Sequence, residues 1–377
     1  MDLRGLLGLD DPIGLFICLA GVLAQLWLVR KTRTFFVLNV LFCTVLVVTF
    51  FALAEYWFPS YRRLFSLSAS DWTVALIQIW CLCMIFASLV VAVRDRVPDH
   101  DQSRRKFLKM GTLAVCAIPP AVTSFGIITR KNFSVKEVEV KLPSLPRDLD
   151  NLRIVQLSDI HLSDFYSPKD LVHVIDAANE LRGDLAVVTG DLVTIHSDPL
   201  EICLNELSRL KNTSGIWGCL GNHESFAGVE NEAARLGAEL GVNFLRWQAR
   251  NLKFGNANLN LVGVDYQRTR LPYLVEGEEL VDTNSFNVLL SHNPDVFPVA
   301  VSKGFDLVLA GHTHGGQINV EIFDKNLNIA RFVTPYTKGL YRSSNSAIYV
   351  NSGIGTIGMP IRLGAPPEIT LLKLCAS

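Results

Sequence analysis

The chain has 377 residues, 49% of them hydrophobic, and a formal net charge of −1, with a mean hydropathy of +0.29 and a pI near 6.7. That length allows two domains, that hydropathy exceeds what one soluble domain needs, and the charge balance lacks the basic bias of a nucleic-acid binder. Five of the eight cysteines (18, 43, 81, 83 and 116) lie in the apolar front third, while Cys203, Cys219 and Cys375 are scattered without CxxC spacing. They read as small core residues, neither a disulfide framework nor a zinc knuckle.

Residues 13–29, 35–54, 72–93 and 110–128 are four apolar runs almost free of charge, each near the length that crosses a bilayer. Arg30, Lys31 and Arg33 separate the first two, and Arg94, Arg96, Arg104, Arg105, Lys106 and Lys109 separate the last two. Positive loops stay cytoplasmic, which places the amino terminus and everything after Ile128 outside, although Arg62 and Arg63 lie in the outer loop. The expectation is a membrane domain of four transmembrane helices over residues 1–130 and an exocytoplasmic catalytic domain over 131–377, multi-pass in the plasma (inner) membrane. SRRKFLK at 103–109 resembles the twin-arginine signal of the Tat translocon, an expected partner; an ordinary positive anchor is the alternative. No A-x-A site closes the run, so the anchor reads as uncleaved.

From about Phe133 the pattern becomes that of a globular α/β domain. Residues 152–157 predict a strand ending in SDIHLSD, with Asp159 and His161. A helix follows from Pro168, capped by Ser167 with Asp170 three residues on, and buries Leu171, Val174, Ile175 and Ala178. The strand 185–189 runs into Gly190 and Asp191, and a helix started by Asp198 and Pro199 buries Ile202, Leu204, Leu207 and Leu210. The strand 216–220 ends in GNHE at 221–224, and a helix over 230–240 precedes a hairpin of 251–254 and 258–264 around Gly-Asn-Ala-Asn. The strand 286–290 ends in SHNPD with His292, and FDLVLAGHTHGGQ at 305–317 carries His312 and His314. Extended backbone through Gly311 to His314 would put both histidines on one side, and the glycines at 311, 315 and 316 permit tight turns. Alone, that pair reads equally as a polar surface turn.

Five strands thus deliver polar side chains at their carboxyl ends, where open α/β sheets bind ligands. Asp159, His161, Asp191, Asn222, His292, His312 and His314 supply carboxylates, imidazoles and an amide without a thiolate. This set suits two borderline divalent ions such as Mn, Fe or Zn, and suits neither structural zinc nor calcium. Singly, each has a bland role open to it: Asp191 as a turn cap, Asn222 as loop support, His292 as a core histidine.

The ordered set DIH, GD, GNHE, SH and GHTH over 152–317 resembles the calcineurin-like metallophosphoesterase superfamily. The tail VNSGIGTIGMPIRLGAPPEITLL further resembles its membrane-anchored bacterial phosphodiesterase branch, the group of YkuE and YaeI. The resemblance implies an α/β fold, an αββα four-layer sandwich, where the strand reading alone leaves a single doubly wound sheet open. It assigns Asp159, His161 and His314 to a first metal, Asp191 to both, and Asn222, His292 and His312 to the second. It leaves His223 as a catalytic group beside the leaving oxygen, positioned by a neighbouring acid, and implies attack by a metal-bound hydroxide. Glu224 stands where many relatives carry Asp.

Substrate choice lies in the surrounding loops, where Arg268 and Arg270 are candidate phosphate clamps or plain solvated charges. The short link after Ile128 favours a cell-envelope or lipid-linked phosphodiester, with a lipid-precursor pyrophosphate such as UDP-2,3-diacylglucosamine as the alternative. A catalytically weak membrane sensor or binding module is a third reading; the scarcity of charge within the spans argues against transport. Manganese is the favoured ion if the domain crosses the membrane folded.

Overall fold

The computed structural model describes residues 12–31, 40, 43, 45–47, 71–98, 101–267, 273–322 and 325–376. It divides into two compact units, Met1–Ile127 with Gly358–Pro360, and Ile128–Ile357 with Ile361–Ser377.

The first unit holds three long helices among its described residues: α1 (Pro12–Lys31), α2 (Asp71–Arg94) and α3 (Gln102–Thr129). Val74–Arg94 and Gln102–Thr129 are long and apolar enough to cross a membrane. The expected run 35–54 lies largely outside the described residues, so four transmembrane helices are not shown. α1 and α2 run parallel: Cys81 Sγ lies 4.0 Å from the Cys18 carbonyl, and beyond the far ends of both helices' apolar stretches Lys31 pairs with Asp95 at 2.6 Å. SRRKFLK forms the first turns of α3. Pro119 and Pro120 sit within that helix, and the Thr123 hydroxyl donates to the Pro119 carbonyl at 2.8 Å.

The second unit is built on two six-stranded mixed sheets. One contains β1 (Ser134–Leu142), β2 (Arg153–Leu157), β3 (Leu185–Thr189), β4 (Ile216–Cys219), β5 (Val242–Phe244) and β14 (Glu368–Ala376), in the order β1-β14-β2-β3-β4-β5. The other contains β6 (Gln248–Phe254), β7 (Ala257–Gly263), β8 (Phe286–Leu290), β9 (Leu307–Ala310), β12 (Gly339–Ser343) and β13 (Ser346–Val350), in the order β12-β13-β9-β8-β7-β6. A small ribbon of β10 (Asn319–Ile322) and β11 (Lys325–Asn328) stands apart.

Alternation along the strands produces layered cores. Ile154, Val187, Leu372, Leu261, Val288 and Leu309 fill the space between the sheets. The other face of the first sheet, through Val155, Val188 and Ile369, packs on α4 (Pro168–Glu180), α5 (Leu200–Leu207) and α7 (Glu230–Glu239). The outer face of the second, through Val262, Leu289 and Val308, packs on the short α8 (Phe297–Lys303). Two sheets therefore stand where strand periodicity left a single one open.

α4 starts as its sequence predicts, with the Asp170 carboxylate accepting the Ser167 backbone N–H at 2.9 Å and its hydroxyl at 2.6 Å. Leu204, Leu207 and Leu210 are buried as expected, but on α5 Cys203 is buried in place of Ile202, which is 46% exposed, so the stripe of the helix runs through 200, 203, 204 and 207. Asp198 does not cap it but accepts the backbone N–H groups of Thr194 and Ile195. The hairpin is tighter than expected, since Phe254 pairs with Ala257 across Gly255 and Asn256 alone.

Candidate metal centre

β2, β3 and β4 are parallel neighbours in one sheet, and β8 and β9 in the other. The loops after their carboxyl ends meet, so ligands from both sheets share one centre. Beneath it Gln156 donates to Thr189 Oγ1 on its own sheet and to the Ala310 carbonyl on the other, both at 3.0 Å.

The backbone at the site is unusual. Asp159, His161, Asp191, His312 and His314 all have φ between 45° and 73°, a region that non-glycine residues enter at a cost and that clusters at functional sites. It corrects the expectation of an extended GHTH segment: the chain turns at each histidine, and the pair serves two different groups. Two glycines are required by contact. A Cβ on Gly221 would lie 2.1 Å from Asp191 Oδ1, and one on Gly311 would lie 1.9 Å from Ser158 Oγ.

Asp159, His161, Asp191 and His314 present their ligand atoms within 4.8 Å of one another, as do Asp191, His292 and His312. Asp191 belongs to both clusters. Its Oδ2 is 3.1 Å from His292 Nε2 and 3.5 Å from His161 Nε2; His314 Nε2 is 3.3 Å from Asp159 Oδ1. His161 Nε2 and His314 Nε2 face each other at 3.1 Å, and His312 Nδ1 faces His292 Nε2 at 3.2 Å. Facing imidazole nitrogens suit a shared cation better than each other. Asn222 begins α6 (Asn222–Ala227), and its buried Oδ1 has no hydrogen-bond partner among the described residues. A buried acceptor without a donor is costly, and a cation would satisfy it. The donor set therefore fits two divalent ions.

Hydrogen bonds orient the rings. His292 Nδ1 donates to the Thr189 carbonyl at 2.6 Å, which directs Nε2 to Asp191. Burial depresses His161 to about 3, His312 to about 4, and His314 well below its ordinary value; neutral imidazoles are what a cation requires. His292 goes the other way: burial pulls it down, but Asp191 outweighs that and raises it to about 10. Asp191 is held below the carboxylate range, burial being outweighed by His292 and His161. Asp159 rises to about 6, chiefly by burial.

His223 is half-buried and belongs to neither cluster. Its backbone N–H donates to Asp191 Oδ1 at 2.9 Å, and its Nδ1 donates to the Thr194 carbonyl at 3.0 Å. The expected neighbouring acid is thus replaced by a backbone carbonyl. Arg268 and Arg270 lie outside the described residues.

Two buried groups, Glu224 and Arg362, had no role assigned from the sequence. Glu224 accepts backbone N–H groups of Gly221, Asp191 and Leu192 at 2.7 to 3.0 Å. Arg362 donates to the carbonyls of Ser352, Gly355 and Ala365 and sits 3.3 Å from His314 Nδ1; burial lowers it to about 10. The signal for Arg362 was a lone cation within the apolar tail MPIRLG.

Residues 152–316 match the model of the calcineurin-like phosphoesterase family. An uncharacterized metallophosphoesterase of Campylobacter jejuni, Cj0846, is 29% identical over 94% of this chain and 95% of its own length. The uncharacterized metallophosphoesterase YkuE of Bacillus subtilis is 30% identical over 72% of this chain and 97% of its own. A zebrafish (Danio rerio) transmembrane protein with metallophosphoesterase domain is 30% identical over 70% of this chain and 62% of its own.

Proposed function

Because this chain belongs to the calcineurin-like phosphoesterase family, we propose that it is a membrane-anchored, two-metal phosphodiesterase acting on a cell-envelope or lipid-linked substrate. The observation that carries this reading is the membership of Asp191 in both ligand clusters. Asp159, His161, Asp191 and His314 would hold one ion, and Asp191, Asn222, His292 and His312 the other. Bound there, two divalent ions supply Lewis acidity toward the phosphoryl oxygens and a nucleophile at neutral pH.

The rest belongs to the chain's own groups. With its Nδ1–H committed to the Thr194 carbonyl, His223 would act as the imidazolium, giving the Nε2 proton to the departing oxygen and keeping the one on Nδ1. Glu224 holds the GD and GNHE loops in register. Affinity alone favours zinc over manganese, so manganese, with iron and zinc as alternatives, is the favoured ion on the ground that SRRKFLK would export the domain folded, with its metals acquired inside where supply is controlled.

The membrane reading is supported by α2 and α3, and by the zebrafish protein's description as transmembrane. The parallel course of α1 and α2 adds to it. It brings the basic carboxyl ends of the two helices, at Lys31 and Arg94, to the same side. Lys31 and Arg94 then share the cytoplasmic end, and the catalytic unit lies outside.

Hydrolysis of bis(p-nitrophenyl) phosphate, p-nitrophenyl phosphate and a UDP-linked lipid by the purified chain with added Mn²⁺ tests the choice. The diester should be preferred. A UDP-lipid preference replaces the substrate class with a pyrophosphate, and no turnover on any of them leaves a binding module.

A further inference from the structure

Thr194 stands between two histidines that the proposed reaction uses for different purposes. Its hydroxyl is 3.1 Å from His161 Nδ1, and its carbonyl is 3.0 Å from His223 Nδ1. The two rings meet edge to face with centroids 4.9 Å apart. Each bond acts on the nitrogen remote from the chemistry. An imidazole that offers Nε2 to a cation carries its hydrogen on Nδ1 and needs an acceptor there, and the Thr194 hydroxyl is that acceptor for the fully buried His161. The carbonyl does the same for His223.

The peptide is itself fixed. Asp198 Oδ2 accepts the backbone N–H of Thr194 at 2.7 Å and of Ile195 at 2.9 Å, and the Asp198 N–H returns to the Ile195 carbonyl at 3.1 Å. A carbonyl held in such a turn points in one direction, a job a flexible side-chain acid would do less rigidly.

We propose that Thr194 is a positioning residue that couples the first metal to the proton donor, its hydroxyl setting His161 and its carbonyl setting His223. The inference rests on the two-metal reading, but its halves separate by substitution. Thr194→Val keeps the shape and the carbonyl and leaves the His161 N–H buried without an acceptor; Thr194→Ser restores the hydroxyl. Asp198→Ala releases the turn and spares the hydroxyl.

The test is calorimetric titration of the detergent-solubilised full chain with Mn²⁺ alone, beside turnover of nitrophenyl and alkyl phosphodiesters. Thr194→Val should lose about 10- to 100-fold in affinity for one of two Mn²⁺ equivalents and keep the other. Thr194→Ser should restore it to within about threefold, well inside that range. Asp198→Ala should bind both equivalents normally yet lose turnover, roughly 10-fold more on the alkyl than on the nitrophenyl diester, because a poorer leaving group depends more on a proton. Wild-type affinity for both equivalents in Thr194→Val overturns the role of the hydroxyl. Loss of metal in Asp198→Ala, or an equal loss on both diesters, overturns that of the carbonyl. If the wild type hydrolyses diesters in either event, the clamp fails and the reaction stands. If the metal pattern appears while no phosphoester is cleaved, the hydroxyl role stands and the reaction, with the proton-donor role, falls.

Discussion

Glu224 Oε2 accepts the backbone N–H of Asp191 at 3.0 Å, and the same carboxyl takes the N–H groups of Gly221 and Leu192. Burial and the nearby Asp191 raise it to about 7 against the pull of those N–H donors. Glu224→Gln replaces one acceptor oxygen with an NH₂ that faces N–H donors. The expected loss is about 3 kcal/mol for a buried donor left unmatched, read as a lower thermal midpoint together with weakened Mn²⁺ binding. Unchanged stability would show that the loops hold their register without it.

His223 lies outside both ligand clusters, so His223→Ala should bind two metal ions per chain and still lose turnover by roughly 10²- to 10⁴-fold, most with poor leaving groups. Metal analysis beside kinetics checks this. A fall to one ion would make His223 a ligand and the division of roles wrong.

The metal-free protein has a pH signature. His292 is raised to about 10, above an ordinary value near 6.5, so its contribution to stability is fully present below that lower value and is lost as pH rises through about 10. Asp191, held low, stays ionised throughout. Metal-free chain should therefore lose thermal stability between about pH 7 and pH 10. Metal loading at pH 7.5 should release about one proton, measured by titration in buffers of different ionisation enthalpy. Proton-neutral binding would contradict the His292–Asp191 pairing.

The export proposal rests on SRRKFLK in the first turns of α3. Replacing Arg104 and Arg105 with Lys keeps the charge, so an ordinary anchor should insert normally while twin-arginine export fails. A reporter fused after Ser377 measures which. Normal outward delivery of the Lys-Lys chain, with unchanged metal content, would remove both the Tat route and the argument for manganese loading inside.

The clustering of the candidate ligands was legible because each follows a short apolar strand, and the polar residues that end those strands are local signals. The supporting groups were not, because their partners are distant in the chain. Thr194 matters through a carbonyl and a hydroxyl that any loop threonine has, and Arg362 reaches His314 across 48 residues. The same applies to the fold. β14 inserts between β1 and β2, pairing parallel with one and antiparallel with the other, which periodicity cannot reveal. β1 alternates charge with half-burial in SVKEVEVKL, a weak apolar signal that only its place at the sheet edge explains. Ile202 and Cys203 show the limit within one helix, since they are adjacent apolar residues and only packing against the sheet decides that Cys203 turns inward.

The measurement that tests the two-metal account most directly is metal content and diester turnover of Asp191→Asn beside the wild type. Asp191 is the one residue common to both clusters, so its loss should weaken both ions together and abolish turnover. Two tightly bound ions, or turnover within a few-fold of wild type, would contradict it.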